Sequence, residues 1–313
     1  MPATRRNFLQ SLAGIAGATY LADSPVLANL PAADQLYIAC NAYTWHTFYQ
    51  RAGKDWYANL DASLADFASS GIQGYEPSVN TAADFKALAP LLKKYNLEMR
   101  SIYVNSTLHT AEDADKTIQN VTAIADAARP LGVKIVVTNP NPLRWGTNPA
   151  DKSDEDLNIQ AQNLNRLGAE LRKRGMVLAY HTHDMEMRNA AREFHHMLLA
   201  TDPQNVSLCL DVHWIFRGSG NSQVALFDIV KQYGKRITEL HLRQSKGGIW
   251  TETFGEGDID YARLVKALQA TGIRPMLVLE QCLEKQSPNT MDARTAHRQD
   301  LAYAKTLFST FAG

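Results

Sequence analysis

Val177-Leu178-Ala179-Tyr180-His181 is a short apolar run that stops on a side chain able to bind a metal ion. The arrangement recurs over 207–211 (SLCLD), 237–241 (ITELH) and 275–280 (PMLVLE), each followed by a helical pattern. In a parallel β/α barrel the C-terminal ends of all strands face one mouth, where active sites sit. That topology brings His181, Asp211, His241 and Glu280 to one point. Two imidazoles and two carboxylates at one point are a divalent-metal site. Singly, each has an ordinary reading: a hydrogen-bonded histidine, a helix-capping aspartate, a glutamate paired with an arginine. Four such endings at four successive strands favour the metal.

The rest of the chain repeats the unit. Strand patterns fall over 36–41, 72–76, 99–104 and 135–138. Helical patterns fall over 60–70, 82–95, 111–131, 154–174, 190–200, 224–233, 261–270 and 291–311. Gly71, Gly132, Gly175, Gly234 and Gly272 stand where helices end before the next strand, and Asp154 and Asp260 stand at N-cap positions. Eight strands alternating with eight helices predict an α/β protein, a single (β/α)8 TIM barrel. A doubly wound open sheet is the alternative, weakened because chemistry-bearing residues follow nearly every strand rather than one switch point. No glycine-rich phosphate or dinucleotide fingerprint follows any strand.

Lys and Arg number 32 and Asp and Glu number 32, so nothing in the charge balance points to nucleic acid or anionic lipid. Of the three cysteines, Cys209 and Cys282 lie in apolar strand runs and read as buried thiols, and no C-x-x-C spacing occurs. Thr4-Arg5-Arg6-Asn7-Phe8-Leu9-Gln10 resembles a twin-arginine export motif, an apolar stretch follows it, and Val26-Leu27-Ala28 suits signal peptidase. The expectation is a signal segment over 1–28, a barrel over 29–313, and a periplasmic or otherwise exported enzyme. It would meet the export machinery only in transit and would not insert stably in the membrane.

Beyond that segment, nearly the whole chain resembles the xylose-isomerase-like barrel superfamily, the sugar phosphate isomerase/epimerases. The likeness rests on LCLDVHW around Asp211, ELHLR around His241, LVLEQ around Glu280, and the Phe254-Gly255-Glu256-Gly257-Asp258-Ile259-Asp260 segment. It implies one divalent ion (Mn, Co, Zn or Mg) held at successive strand ends by Glu, Asp, His and Glu. Here His181 replaces the first Glu, in Tyr180-His181-Thr182-His183-Asp184-Met185-Glu186, which resembles the inosose-dehydratase-like branch. His183 is the alternative ligand at that position.

Losing one carboxylate removes half of the two-faced pair that ketose epimerases use. The resemblance therefore implies proton abstraction next to a carbonyl on a non-phosphorylated keto sugar or keto-inositol, leading to isomerisation. A dehydratase or lyase acting on a keto-inositol or 3-keto-glycoside is the runner-up. Glu280, Glu186 and His183 are the expected catalytic groups, and Glu76, His213, Trp214, Arg217 and Arg243 the expected substrate contacts. Trp45, His46, Tyr103 and His109 are weaker candidates for lining the pocket, and His195-His196 reads as a solvated helix face. A carbohydrate-binding barrel without catalysis remains open. A DNA-repair endonuclease would need further metal ligands and a basic groove.

Overall fold

The computed structural model describes residues 36–145 and 150–312, so the 1–28 segment lies outside the described residues. Strands β1 (Ile38–Asn41), β2 (Gly74–Glu76), β3 (Ser101–Tyr103), β4 (Ile135–Thr138), β5 (Val177–Tyr180), β6 (Val206–Asp211) and β7 (Ile237–Leu242) precede a short hairpin. The hairpin is β8 (Ser245–Lys246) and β9 (Ile249–Trp250), and β10 (Met276–Leu279) follows it. Eight strands form one sheet in the order β2-β1-β10-β7-β6-β5-β4-β3, all neighbours parallel. The end strands meet through a few bonds rather than a full ladder. The Tyr75 amide donates to Glu98 O (2.8 Å) and the Tyr103 amide to Pro77 O (2.9 Å). This is the nearly closed (β/α)8 barrel, and the open-sheet alternative is set aside.

The helices are α1 (Ala42–Arg51), α2 (Leu60–Ser69), α3 (Phe85–Lys94), α4 (Ala111–Ala128), α5 (Asp154–Lys173) and α6 (Arg188–Leu199). After them come α7 (Val212–Gly218), α8 (Gln223–Tyr233), α9 (Tyr261–Ala270) and α10 (Ala293–Leu307). Helix α5 shows why they sit where they do. Ser153 caps it in a reciprocal box with Asp156, and Leu157, Ala161, Leu164, Leu167 and Leu171 form its buried stripe. The N-cap is thus Ser153 and not Asp154, because a serine one residue earlier reaches the free amides first. Asp260 does cap α9. Gly71, Gly132, Gly175 and Gly272 end their helices at positive φ, whereas Gly234 has φ −49° and simply continues the turn.

Helices α1 and α7 carry no separate signal in the sequence. Each starts directly from a strand end, capped by the strand's last side chain: Asn41 accepts from Tyr43 N, and Asp211 accepts from Trp214 N. The main apolar core lies between sheet and helices. A smaller cluster of Ile135, Val137, Ala179 and Cys209 is separate from it. All three cysteines are buried and free.

Candidate metal centre

Side chains alternate along a strand, so residues two apart share a face. Asp211 pairs with His241 across β6 and β7, and one step down Cys209 pairs with Glu239. Both pairs therefore point into the barrel, in two successive layers. The upper layer is completed by His181, one residue past β5, and Glu280, one residue past β10. One ligand atom from each of His181, Asp211, His241 and Glu280 lies within 4.8 Å of the others, and all four residues are buried. The structure gathers the four expected ligands and takes His181, not His183, into the cluster.

The donor set fits a divalent ion. His181 Nε2 and Asp211 Oδ2 stand 3.4 Å apart, yet neither has a hydrogen-bond partner, nor does His181 Nδ1. Buried polar atoms are rarely left unpaired, and a bound cation would satisfy both. Burial opposes ionisation of Glu280, but Arg243 and then His241 hold its carboxyl well below the usual range.

Arg243 lies across the rim of the cluster. Its Nη2 is 2.9 Å from Glu280 Oε2 and 3.8 Å from Asp211 Oδ2, while Nη1 has no partner. Its guanidinium sits over Trp214 and Trp250, at 5.1 and 4.3 Å from the ring centroids. Arg243 and Trp214 thus stand together beside the ligand cluster. His183 stands on the opposite side, its ring edge-on to His181 at 5.1 Å and to Trp214 at 5.5 Å. Its Nδ1 is 3.1 Å from Asn139 Oδ1, which can only accept, so Nδ1 carries the proton and Nε2 the free lone pair. Burial, then the neighbouring His181, lowers its pKa to about 3, leaving the ring neutral.

Asn139 was missed in the sequence, although it stands one residue past β4, as His181 and Glu280 stand one past β5 and β10. Its Nδ2 donates to His181 O (2.9 Å) and to Glu186 Oε1 (3.0 Å), tying three elements together. Glu186 also accepts from the His183 amide at 2.8 Å. Its carboxyl is buried, with both oxygens engaged, and burial followed by Glu193 pushes its pKa up to about 7. Through these bonds it braces His183 and Asn139.

Glu76, Arg217 and His213 are three of the expected substrate contacts. Glu76 is fully buried beside His241 and bonded to Asn41 and Ser101. Arg217 is committed to Glu284 (2.9 and 3.1 Å) and to Gly248 O (2.7 Å), so it braces the β8–β9 hairpin. His213 is fully buried among Phe216 and Trp250 with neither ring nitrogen hydrogen-bonded, and burial, then Arg243, lowers its pKa to about 3. Among the weaker candidates, Trp45 is core, stacked on His297 at 4.5 Å. Tyr103 does reach the cluster, edge-on to His181 at 5.3 Å. His195 is half-buried and bonded to Tyr233 (2.7 Å) rather than solvated. Asp258, in the 254–260 segment, accepts from the Gly247 and Gly248 amides and clamps the hairpin turn.

A parallel barrel with four metal-competent side chains at its C-terminal mouth defines a class of metal-site (β/α)8 proteins. The sequence profile of the xylose isomerase-like TIM barrel family matches residues 64–307, and the chain belongs to that family. An inosose dehydratase of Mesomycoplasma hyopneumoniae is 27% identical over 277 residues, covering 80% of this chain and 89% of its own length. A sugar phosphate isomerase/epimerase from Parabacteroides distasonis superposes with TM-score 0.66 at 18% identity, over 91% of this chain and 100% of its own. A xylose isomerase-like TIM barrel protein from Mycobacterium smegmatis, solved in complex with magnesium, gives 0.67 at 13% identity, over 89% and 98%.

Proposed function

We propose that this chain is a divalent-metal-dependent sugar-modifying enzyme that removes water from a non-phosphorylated keto-inositol or keto sugar by β-elimination. His181, Asp211, His241 and Glu280 would hold one ion, drawn from Mn, Co, Zn or Mg, since imidazole and carboxylate together suit all four. A bound ion would polarise the substrate carbonyl and favour the negative charge that develops on its oxygen. The observation that carries the reading is the one-sidedness of the site. His183, tautomer fixed by Asn139, offers a free Nε2, whereas Glu280 opposite is tied to Arg243 and His241.

In this mechanism the C–H bond next to the carbonyl breaks and its proton passes to His183 Nε2. The electron pair forms the C=C of an enolate. As the carbonyl re-forms, that pair expels the β-hydroxyl, which takes the proton from His183 and leaves as water. Arg243, through its unpartnered Nη1, is placed to hold a substrate oxygen. The sequence relatives named as inosose dehydratases support elimination over the isomerisation that the residue pattern first suggested.

The test is to incubate metal-loaded protein with keto-inositols and 3-keto-glycosides in deuterated water, followed by NMR and mass spectrometry. The expected product is lighter by one water and conjugated. Deuterium returned to an intact substrate carbon, with no water lost, would establish the epimerase or isomerase instead. Binding without either outcome would leave a carbohydrate-binding barrel. We also propose that the twin-arginine-like segment places this chemistry outside the cytoplasm.

A further inference from the structure

The layer beneath the four ligands holds charge where a barrel interior ordinarily holds Val, Ile and Leu. Glu76 and Glu239 are both fully buried there, beside the same nitrogen of the His241 ring. His241 Nε2 is 3.1 Å from Glu239 Oε1 and 3.2 Å from Glu76 Oε2, while its Nδ1 is 3.1 Å from Glu280 Oε2 in the layer above. Glu76 is itself fixed: Asn41 Nδ2 donates to Oε2 at 2.7 Å and Ser101 Oγ to Oε1 at 2.9 Å. Neither glutamate reaches the mouth. Burying a carboxylate is costly unless a specific interaction offsets it, so two beside one imidazole nitrogen call for an explanation.

We propose that Glu76 and Glu239 are positioning residues that hold the proton of His241 on Nε2 and so present Nδ1 to the metal ion. An imidazole N–H that donates to Glu239 Oε1, with the Glu76 carboxylate 3.2 Å away, keeps its proton there, leaving the lone pair on the other nitrogen. The same contacts fix the ring plane and make Nδ1 a better donor to a cation. Because the ring lies across the two layers, the pair acts on the ion entirely through His241. The inference rests on the reading of His181, Asp211, His241 and Glu280 as the metal site. A rival is built into the same layer: Cys209, Glu239 and His241 also lie within ligating distance of one another. That arrangement would make the lower layer a second metal site. A nitrogen that keeps its proton cannot also bind an ion, so the two ideas exclude each other.

The experiment uses full-length protein stripped of metal and titrated with Zn²⁺ against a chromophoric chelator, with metal analysis for stoichiometry. Wild type should bind one Zn²⁺ per chain. Glu239→Gln and Glu76→Gln should each weaken that binding by about 10–100-fold, the usual effect of removing a ligand's outer partner. The melting temperature of the metal-free variants should not fall. Unchanged Zn²⁺ affinity in both variants, or a loss confined to metal-free stability, overturns the proposal. Two Zn²⁺ per wild-type chain, falling to one in Cys209→Ser, overturns it in favour of the second site. If neither variant folds, ¹⁵N-histidine NMR of wild type loaded with ¹¹³Cd²⁺ decides. Cadmium coupling at Nδ1 with a proton on Nε2 supports the assignment, and coupling at Nε2 overturns it. A wild type that binds no divalent ion, like an Asp211→Asn control, removes the metal-site reading and this inference together. Normal binding with unaffected variants removes this inference alone.

Discussion

His183 and Glu186 divide a task between them, and they fail differently. His183→Ala removes the proposed base while leaving the four ligands in place. Turnover should fall by about 10²–10⁴-fold, the range for a general acid–base group, with metal content unchanged by elemental analysis. Loss of the ion in that variant would mean that His183, not His181, is a ligand. Glu186 shows itself in stability as well. Its pKa rises from an ordinary 4.5 to about 7 on folding, so the folded chain holds a proton that the unfolded chain gives up. Its favourable contribution is complete below pH 4.5 and is lost as pH climbs to about 7. Wild type should therefore lose stability relative to Glu186→Gln across that window. A pH-independent difference in urea unfolding would contradict the assignment. At this scale the sequence shows which residues end strands, so the four ligands were legible. It does not show depth. Glu76 and Arg243 each follow a strand pattern, yet one lies under the imidazole and the other at the rim. Asn139 escaped notice because an amide is neither an acid nor a metal ligand by type.

Among the elements, α5 carries a close approach that no pattern announces. Gly168 lies on its buried stripe, and a Cβ there would come within 2.0 Å of the Asn205 carbonyl oxygen, a backbone atom that cannot swing aside. Alanine favours a helix over glycine by about 1 kcal/mol, so propensity alone recommends Gly168→Ala. Packing reverses the sign. The variant should lose about 1–3 kcal/mol, as overfilled cores do, read as a lowered unfolding midpoint. An unchanged or raised midpoint would mean the β6 approach loop yields freely. The strands were readable as short continuous apolar runs, buried on both faces, and the long helices because their burial follows a period of 3.6. Helix α1 was not, because Thr44, Trp45, Thr47 and Phe48 are poor helix formers that fold only against the core they help to build. Helix α7 is a mere seven residues hung from Asp211, too short to show a period.

For the whole molecule, the barrel follows from alternation alone, whereas its closure between β2 and β3 depends on register that single residues do not reveal. The proposed export is tested with a reporter fused to residues 1–28. Changing Arg5 and Arg6 together to Lys should strand the fusion in the cytoplasm, and undiminished export would remove that proposal. Outside the cytoplasm a thiol meets oxidants, and here the buried cysteines take on a further meaning. Burial pushes the thiols of Cys40 and Cys209 well above their ordinary range and that of Cys282 to about 12, so none forms appreciable thiolate in the native state. A maleimide or disulfide reagent can reach them only when the barrel opens. The rate of labelling then becomes a clock for opening, and metal loading should slow it if the ion ties β5, β6, β7 and β10 together. A chain whose three cysteines are all free is thereby shielded from air by its own wall, and its three thiols record each time that wall parts.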